Sequence, residues 1–199
     1  MTAAEFAALT LFTGVVTVTP GGATALAMAS GARFGLRRSA PLIAGIAAGL
    51  ASLAAFAAAG FGVLLLGIPQ LAFALRLLGS CYLAGLALVI ARGAGPGAED
   101  GQREPMSFLM GVDLLWLSPK GWAMALAAAA AFAGTTQGPT QLALVLGGSF
   151  GLAATLSLSL WSVAGVALAR RLRTRSQWRM LNGALALLLA LSLIPIWLA

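Results

Sequence analysis

The sequence predicts an all-α integral membrane protein with six transmembrane helices. Sixty per cent of its 199 residues are apolar and nine per cent are charged, and the mean hydropathy is +0.97. A helix needs about 20 apolar residues to cross a bilayer. Six stretches satisfy this requirement, at about 5–30, 40–66, 70–91, 106–132, 140–169 and 180–197. The lipid bilayer is therefore the first expected partner.

The charged residues predict how these spans are oriented. The net charge of +7 is concentrated in a few short loops, so it indicates membrane topology rather than nucleic-acid binding. Loops 67–69 and 134–139 contain no cation. The positive-inside rule then places both termini outside. The cations of the other loops are Arg33, Arg37 and Arg38, then Arg92 and Arg103, then Arg170, Arg171, Arg173, Arg175 and Arg179.

The only long polar loop divides the chain into two halves. We predict a first three-helix repeat at 1–92, a cytoplasmic linker at 93–105 and a second three-helix repeat at 106–199. Three spans per half make the halves insert in opposite directions, as inverted repeats. Short internal similarities, such as 45–51 with 147–153, agree with this arrangement.

The first and fourth spans each contain a helix-breaking segment. The two segments are Thr19-Pro20-Gly21-Gly22 and Ser118-Pro119-Lys120-Gly121. In each, a hydroxyl residue precedes proline, which predicts a new helix capped by Thr19 or Ser118 with proline in its first position. Such a helix end offers N–H groups and a positive dipole to a carboxylate. The carbonyls just upstream, of Val18 and Leu117, could face an ammonium group. A simple proline kink is the alternative.

Lys120 is the strongest single candidate for function, because a charge inside the membrane usually marks a functional site. It could bind a substrate carboxylate, act as a gate that pairs with an acid when the site is empty, or form a structural ion pair. Asp113 could neutralise Lys120, bind a substrate amino group or carry a coupling proton. Arg76 could join the same site or extend its side chain to the outer surface. Tyr82, two turns from Arg76, could line the cavity or fill the core.

Composition excludes several other classes of function. Cys81 is the only cysteine and histidine is absent, which argues against disulfides, metal sites and an intramembrane enzyme. We expect no cofactor. The pairs Gly45/Gly49 and Gly147/Gly151 predict close helix packing, within the chain rather than in a homodimer, although a homodimer stays open.

Several of these residues together resemble the lysine exporter (LysE) superfamily, including its homoserine/threonine exporter (RhtB) branch. The resemblance rests on Pro20-Gly21 with the 31–35 turn, on 76–83, and on 108–120, which ends in Pro-Lys. It implies a bacterial inner-membrane exporter of amino acids, driven by a proton or ion gradient. The family pattern has proline where this chain has Gly22 and asparagine where it has Ser118, and Asp113 stands where an apolar or small residue is usual.

We therefore predict a secondary-active exporter of amino acids or related small zwitterions that works by alternating access. Its substrate site would lie between the two breaks near the membrane midplane. Exporters of another small solute or cation, and a non-transporting membrane scaffold, are the alternatives.

Overall fold

The breaks predicted in the sequence are present as gaps between helices. A computed structural model describes residues 1–61, 69–92, 105–172, 174–191 and 194, and within these ranges every regular element is helical. The side chains of a few helical residues, including Arg76, are outside the description. The seven α-helices are α1 Ala3–Val18, α2 Gly22–Phe56, α3 Pro69–Ala91, α4 Phe108–Trp116, α5 Pro119–Ala131, α6 Pro139–Ala169 and α7 Arg175–Leu191.

Helix α2 contains the turn between the first and second predicted spans. Gly35 has φ +79° and ψ 164°, so α2 consists of two helical segments, 22–34 and 36–56. A residue with a side chain rarely adopts this φ, which explains glycine here. The turn expected over 31–35 is thus confined to Gly35. Ser39 donates a hydrogen bond to the Gly35 carbonyl at 2.9 Å and its hydroxyl lies 2.7 Å from that of Ser30, which stabilises the turn.

Two of the described helices, taken singly, are long and apolar enough to cross a bilayer. They are Gly22–Gly60, which includes a turn of π-helix at Ala57–Phe61, and Pro139–Ala169. Ala3–Val18 is shorter because the first break ends it. The same reason applies to α4 and α5, which the second break separates. Most of the predicted loop 67–69 and of the predicted linker 93–105, and the end of the last predicted span, lie outside the described residues.

Glycine allows the helices to pack at backbone distance. A Cβ atom on Gly45 would overlap the carbonyl of Phe108, and one on Gly111 would lie 2.6 Å from the carbonyl of Leu42. On the other face of α2, a Cβ on Gly147 would lie 3.1 Å from the carbonyl of Ala51. Because helices in lipid associate through close backbone contact, these glycines fix α2 against α4 and α6. The predicted internal packing seams are confirmed.

Candidate functional site

The first break separates α1 from α2 over three residues. Thr19 ends α1: its N–H bonds to the carbonyl of Val15 at 3.1 Å, and its hydroxyl donates to the same carbonyl at 2.7 Å. The prediction that Thr19 caps the following helix is therefore wrong, and Pro20 precedes that helix rather than starting it. The reason is local, since a threonine hydroxyl bonds readily to the carbonyl four residues back.

Gly21 and Thr24 start α2 instead. Gly21 is the N-cap, and its N–H donates to the Thr24 hydroxyl at 2.8 Å. That hydroxyl in turn donates to the Gly21 carbonyl at 2.9 Å. Thr24 is buried, so this pair of bonds closes the start of the helix without help from water.

The second break follows the predicted pattern. Ser118 is the N-cap of α5, with its hydroxyl accepting from the Gly121 N–H at 3.3 Å, and Pro119 occupies the first helical position. Both predictions for this segment are confirmed. Proline costs nothing here because the N–H that it lacks would have no partner inside the helix.

The structure brings the two breaks into contact. The ammonium of Lys120 donates a hydrogen bond to the carbonyl oxygen of Thr19 at 3.3 Å. A Cβ atom on Gly21 would lie 3.1 Å from the same nitrogen, so a larger residue here would require the lysine tip to shift by a few tenths of an ångström. Lys120 is therefore part of the second break in the sequence, and its side chain contacts the first break in space. Its partner is a carbonyl, and the described residues place no acid beside it.

Three successive carbonyls at the end of α1 are bonded by side chains from the second half of the chain. Ser157 donates to the carbonyl of Thr17 at 2.8 Å, and the Trp161 indole donates to that of Val18 at 3.2 Å. Lys120 bonds the third carbonyl. The ends of a helix leave its last carbonyls without internal partners, and in a membrane these must be satisfied by protein.

Sequence reasoning missed Ser157 and Trp161. Both lie on α6, four residues apart, which places them on one face of that helix. The signal in the sequence was a serine and a tryptophan four residues apart within an apolar span. The carbonyl of Val18, expected to face an ammonium, bonds this indole instead.

The carbonyls of the second break are enclosed differently. The Trp122 indole donates to the carbonyl of Trp116 at 2.9 Å, and the Trp116 indole donates to the hydroxyl of Ser52 at 3.1 Å. A Cβ atom on Gly79 would overlap the carbonyl of Leu117, so α3 lies directly against this break. We expected a substrate ammonium group beside these carbonyls. The space is taken instead by the closely packed helix α3 and by an indole N–H donor.

A small cavity lies between the two breaks, and we call it the site cavity. Its volume is about 50 Å³, which is space for a few water molecules. Its polar lining comes from the breaks and the residues beside them, and its apolar walls come from α2, α3, α4 and α6. The residues of the predicted site that line it are Thr19, Gly21, Gly22, Ser118, Lys120 and Gly121.

Four other predicted site residues are not part of this lining, namely Pro20, Pro119, Asp113 and Tyr82. Asp113 is exposed on α4 and forms no ion pair with Lys120, which lies beyond the break on the separate helix α5. The Tyr82 hydroxyl donates to the carbonyl of Met110 at 3.4 Å. Arg76 lies in α3, with its side chain outside the description. In the described part of the chain, no three His, Cys, Asp or Glu residues come together as metal ligands would.

Interrupted helices that meet inside an apolar bundle are a recurring feature of membrane transporters. Residues 15–193 match the family described as LysE type translocator, which is nearly the whole chain. The chain therefore belongs to the LysE translocator family, a family of transporters, and this membership implies a membrane exporter of small solutes such as amino acids. No individual curated protein and no solved structure shows significant similarity to it.

Proposed function

We propose that this exporter carries amino acids or related small zwitterions by alternating access between two inverted three-helix repeats. The repeats comprise 1–92 and 106–199, joined by the cytoplasmic linker 93–105. Both termini face outwards from a bacterial inner membrane, in line with the distribution of arginines. The motif residues resemble those of the homoserine/threonine exporter branch, whose substrates are amino acids and related small molecules, and we propose no particular amino acid among them.

The arrangement of the breaks supports the inverted repeat. Each interrupted pair, α1 with α2 and α4 with α5, begins at equivalent places in the two halves. The end of α1 is bonded by side chains of α5 and α6, and the end of α4 is bonded to α2 through Ser52. Each break is thus held partly by the opposite half. Rocking of one half against the other would change both breaks together.

The contact between Lys120 and Thr19 is the observation that carries the proposal. A zwitterion carries one carboxylate and one ammonium, and the site offers a counterpart for each. The carboxylate would bind the Lys120 ammonium and the backbone N–H of Lys120 in the first turn of α5. The N–H groups of Gly121 and Trp122 in that turn already bond to Ser118. The substrate ammonium would take over the Thr19 carbonyl, which Lys120 occupies in the structure. Lys120 therefore acts as a gate whose nitrogen fills the ammonium position when no substrate is bound.

The size of the site cavity agrees with an empty and closed site. A free amino acid is larger than the few waters that 50 Å³ can hold, so binding requires Lys120 to swing aside or the helices to separate. The apolar walls exclude water once the substrate is in place, which strengthens the charge contacts.

Asp113 is proposed as the proton-coupling residue. A carboxylate within a membrane span is costly unless it is protonated or reaches water, and the described residues give it no cationic partner. Arg76 and Tyr82 stay proposed as substrate-binding residues on α3, and the Tyr82 hydroxyl bonds the Met110 carbonyl of α4, one turn from Asp113.

Counterflow tests the proposal most directly. Vesicles containing the full chain and a high internal concentration of an unlabelled amino acid should accumulate the labelled amino acid transiently. A Lys120→Ala variant should lose this saturable uptake, and Lys120→Arg, which keeps the charge, should retain part of it. A membrane scaffold would show no uptake in either case, and equal uptake by Lys120→Ala would contradict the role of Lys120.

A further inference from the structure

A second and larger cavity lies toward the arginine-rich end of the bundle, and we call it the inner cavity. Its volume is about 410 Å³. It is an open cavity lined by the first segment of α2, the end of α3, the residues that lead into α4, and the start of α7. On the proposed topology this end faces the cytoplasm, where an exporter collects its substrate.

Arg33 supplies a charge to this cavity. Its side chain is half-buried, and its guanidinium carbon lies 5.3 Å from the centre of the Phe34 ring. Among the described residues, no hydrogen bond or ion pair engages the guanidinium, so its N–H donors are available to a ligand. A planar guanidinium matches a carboxylate with two parallel hydrogen bonds.

The rest of the lining favours a ligand with an apolar part. Leu26, Val89 and Ile90 form one wall, and Met106 and Met110 form another. Methionine adapts its shape to different apolar groups. Helix α4 also begins at this cavity with Ser107 as its N-cap, which adds the positive end of a helix dipole.

The inner cavity lies next to the site cavity along the same helices. On α4, Met110 lines the inner cavity and Leu114 lines the site cavity, a separation of four residues or about 6 Å along the helix. On α3, Leu83 lines the site cavity and Val89 lines the inner one. A molecule in the inner cavity is therefore about one to two helical turns from the breaks.

We propose that the inner cavity is a loading site for small amphipathic carboxylates, in which Arg33 binds the carboxylate and the methionine wall holds the apolar part. The role of this cavity in export rests on the proposed function. Within that function, the inference predicts that the exported amino acids have an apolar side chain. It makes Arg33 a specificity-determining residue separate from Lys120. An amine or alcohol of the same chain length lacks the group that Arg33 recognises.

Binding to the purified full chain in detergent tests the site without any transport. The probes are sodium hexanoate, hexylamine and 1-hexanol, followed by calorimetry. Hexanoate should bind in preference to the other two. Arg33→Gln should weaken its affinity by about tenfold or more, as expected for loss of a charge-assisted hydrogen bond. Arg37→Gln, which removes an exposed arginine four residues away, is the matched control and should leave affinity unchanged.

A second variant keeps the test decisive if Arg33→Gln folds poorly. Ala29→Leu adds bulk to the lining of the inner cavity, leaves Arg33 in place and should also weaken hexanoate binding. Equal loss in Arg33→Gln and Arg37→Gln would indicate general surface charge and overturn the proposal, as would unchanged binding in both Arg33→Gln and Ala29→Leu.

Transport of L-leucine from the cytoplasmic face separates this inference from the proposed function. Arg33→Gln should raise the half-saturation concentration by about tenfold at an unchanged maximal rate. Flux that depends on Lys120 but is indifferent to Arg33 would overturn the loading site and leave the carrier. Arg33-dependent hexanoate binding without any amino-acid flux would support the site and remove the proposed function.

Discussion

The ammonium of Lys120 is hydrogen-bonded to the carbonyl of Thr19, which stands 101 positions earlier in the chain. This bond joins the two places where the transmembrane helices are interrupted. It satisfies a carbonyl that the end of α1 leaves without a helical partner, and it gives a half-buried cation a polar neighbour. One hydrogen bond thus involves a group from each half of the chain. We expect that weakening it reduces transport more than it reduces the stability of the fold.

Gly21→Ala tests how closely this contact is fitted. The new methyl carbon would lie 3.1 Å from the Lys120 nitrogen, and the flexible lysine can move away, so the fold should be kept. Displacement of the ammonium should weaken apparent substrate affinity by about tenfold in counterflow, the loss expected for one charge-assisted bond. Gly14→Ala on α1 is the control, because nothing lies within 4 Å of its added carbon. Equal affinities in the two variants would contradict the role of Gly21.

Ser118→Ala removes the cap of α5. The Gly121 N–H would lose its acceptor, and we expect a loss of about 1 kcal/mol in the free energy of unfolding. Ser118→Asn should restore stability, because an asparagine side chain also caps a helix. Thermal unfolding of the three proteins in detergent measures both effects. A Ser118→Asn protein as unstable as Ser118→Ala would show that the hydroxyl does something other than cap.

Ser157→Ala should destabilise the end of α1. It leaves the carbonyl of Thr17 without its donor in a buried position, at an expected cost of about 1 kcal/mol. Ser159→Ala, two residues along α6, removes a hydroxyl that bonds none of the described groups and should be nearly neutral. Unfolding of the two variants in the same detergent provides the comparison, and similar midpoints would argue against capping across the repeats.

Gly45→Ala tests the packing seam between α2 and α4. An added methyl group would overlap the Phe108 carbonyl, so the two helices must separate, at a cost of about 1–3 kcal/mol. Gly148→Ala adds the same group to α6 in open space and should be neutral or slightly stabilising, since alanine favours a helix. Yield and thermal stability of purified protein measure the difference. A stable Gly45→Ala protein would show that the seam is looser than described.

Asp113→Asn tests whether Asp113 couples export to proton movement without taking part in substrate binding. If Asp113 carries the coupling proton, the variant should keep counterflow exchange but lose efflux driven by a pH gradient. Vesicles that contain a pH-sensitive dye can follow proton movement and amino-acid release in the same preparation. Full gradient-driven efflux in Asp113→Asn would exclude the coupling role and leave exchange unaffected.

Much of the fold could be predicted from the sequence because the signals are local. Proline at the start of α5 and a hydroxyl before it specify a helix start wherever that segment lies. The same argument failed at Thr19, where another local bond, from the hydroxyl back to Val15, was preferred. Local chemistry therefore placed both breaks correctly and misassigned the cap of one.

By itself, the sequence determined the apolar helices, the two breaks and the resemblance to an exporter family. These depend on composition, on proline and on short motifs, all of which act over a few residues. Only the tertiary structure decided which groups meet: Lys120 with Thr19, Ser157 and Trp161 with the end of α1, and Asp113 away from Lys120. Such partners are set by how closely glycine allows distant helices to approach, and no local pattern in the chain encodes that distance.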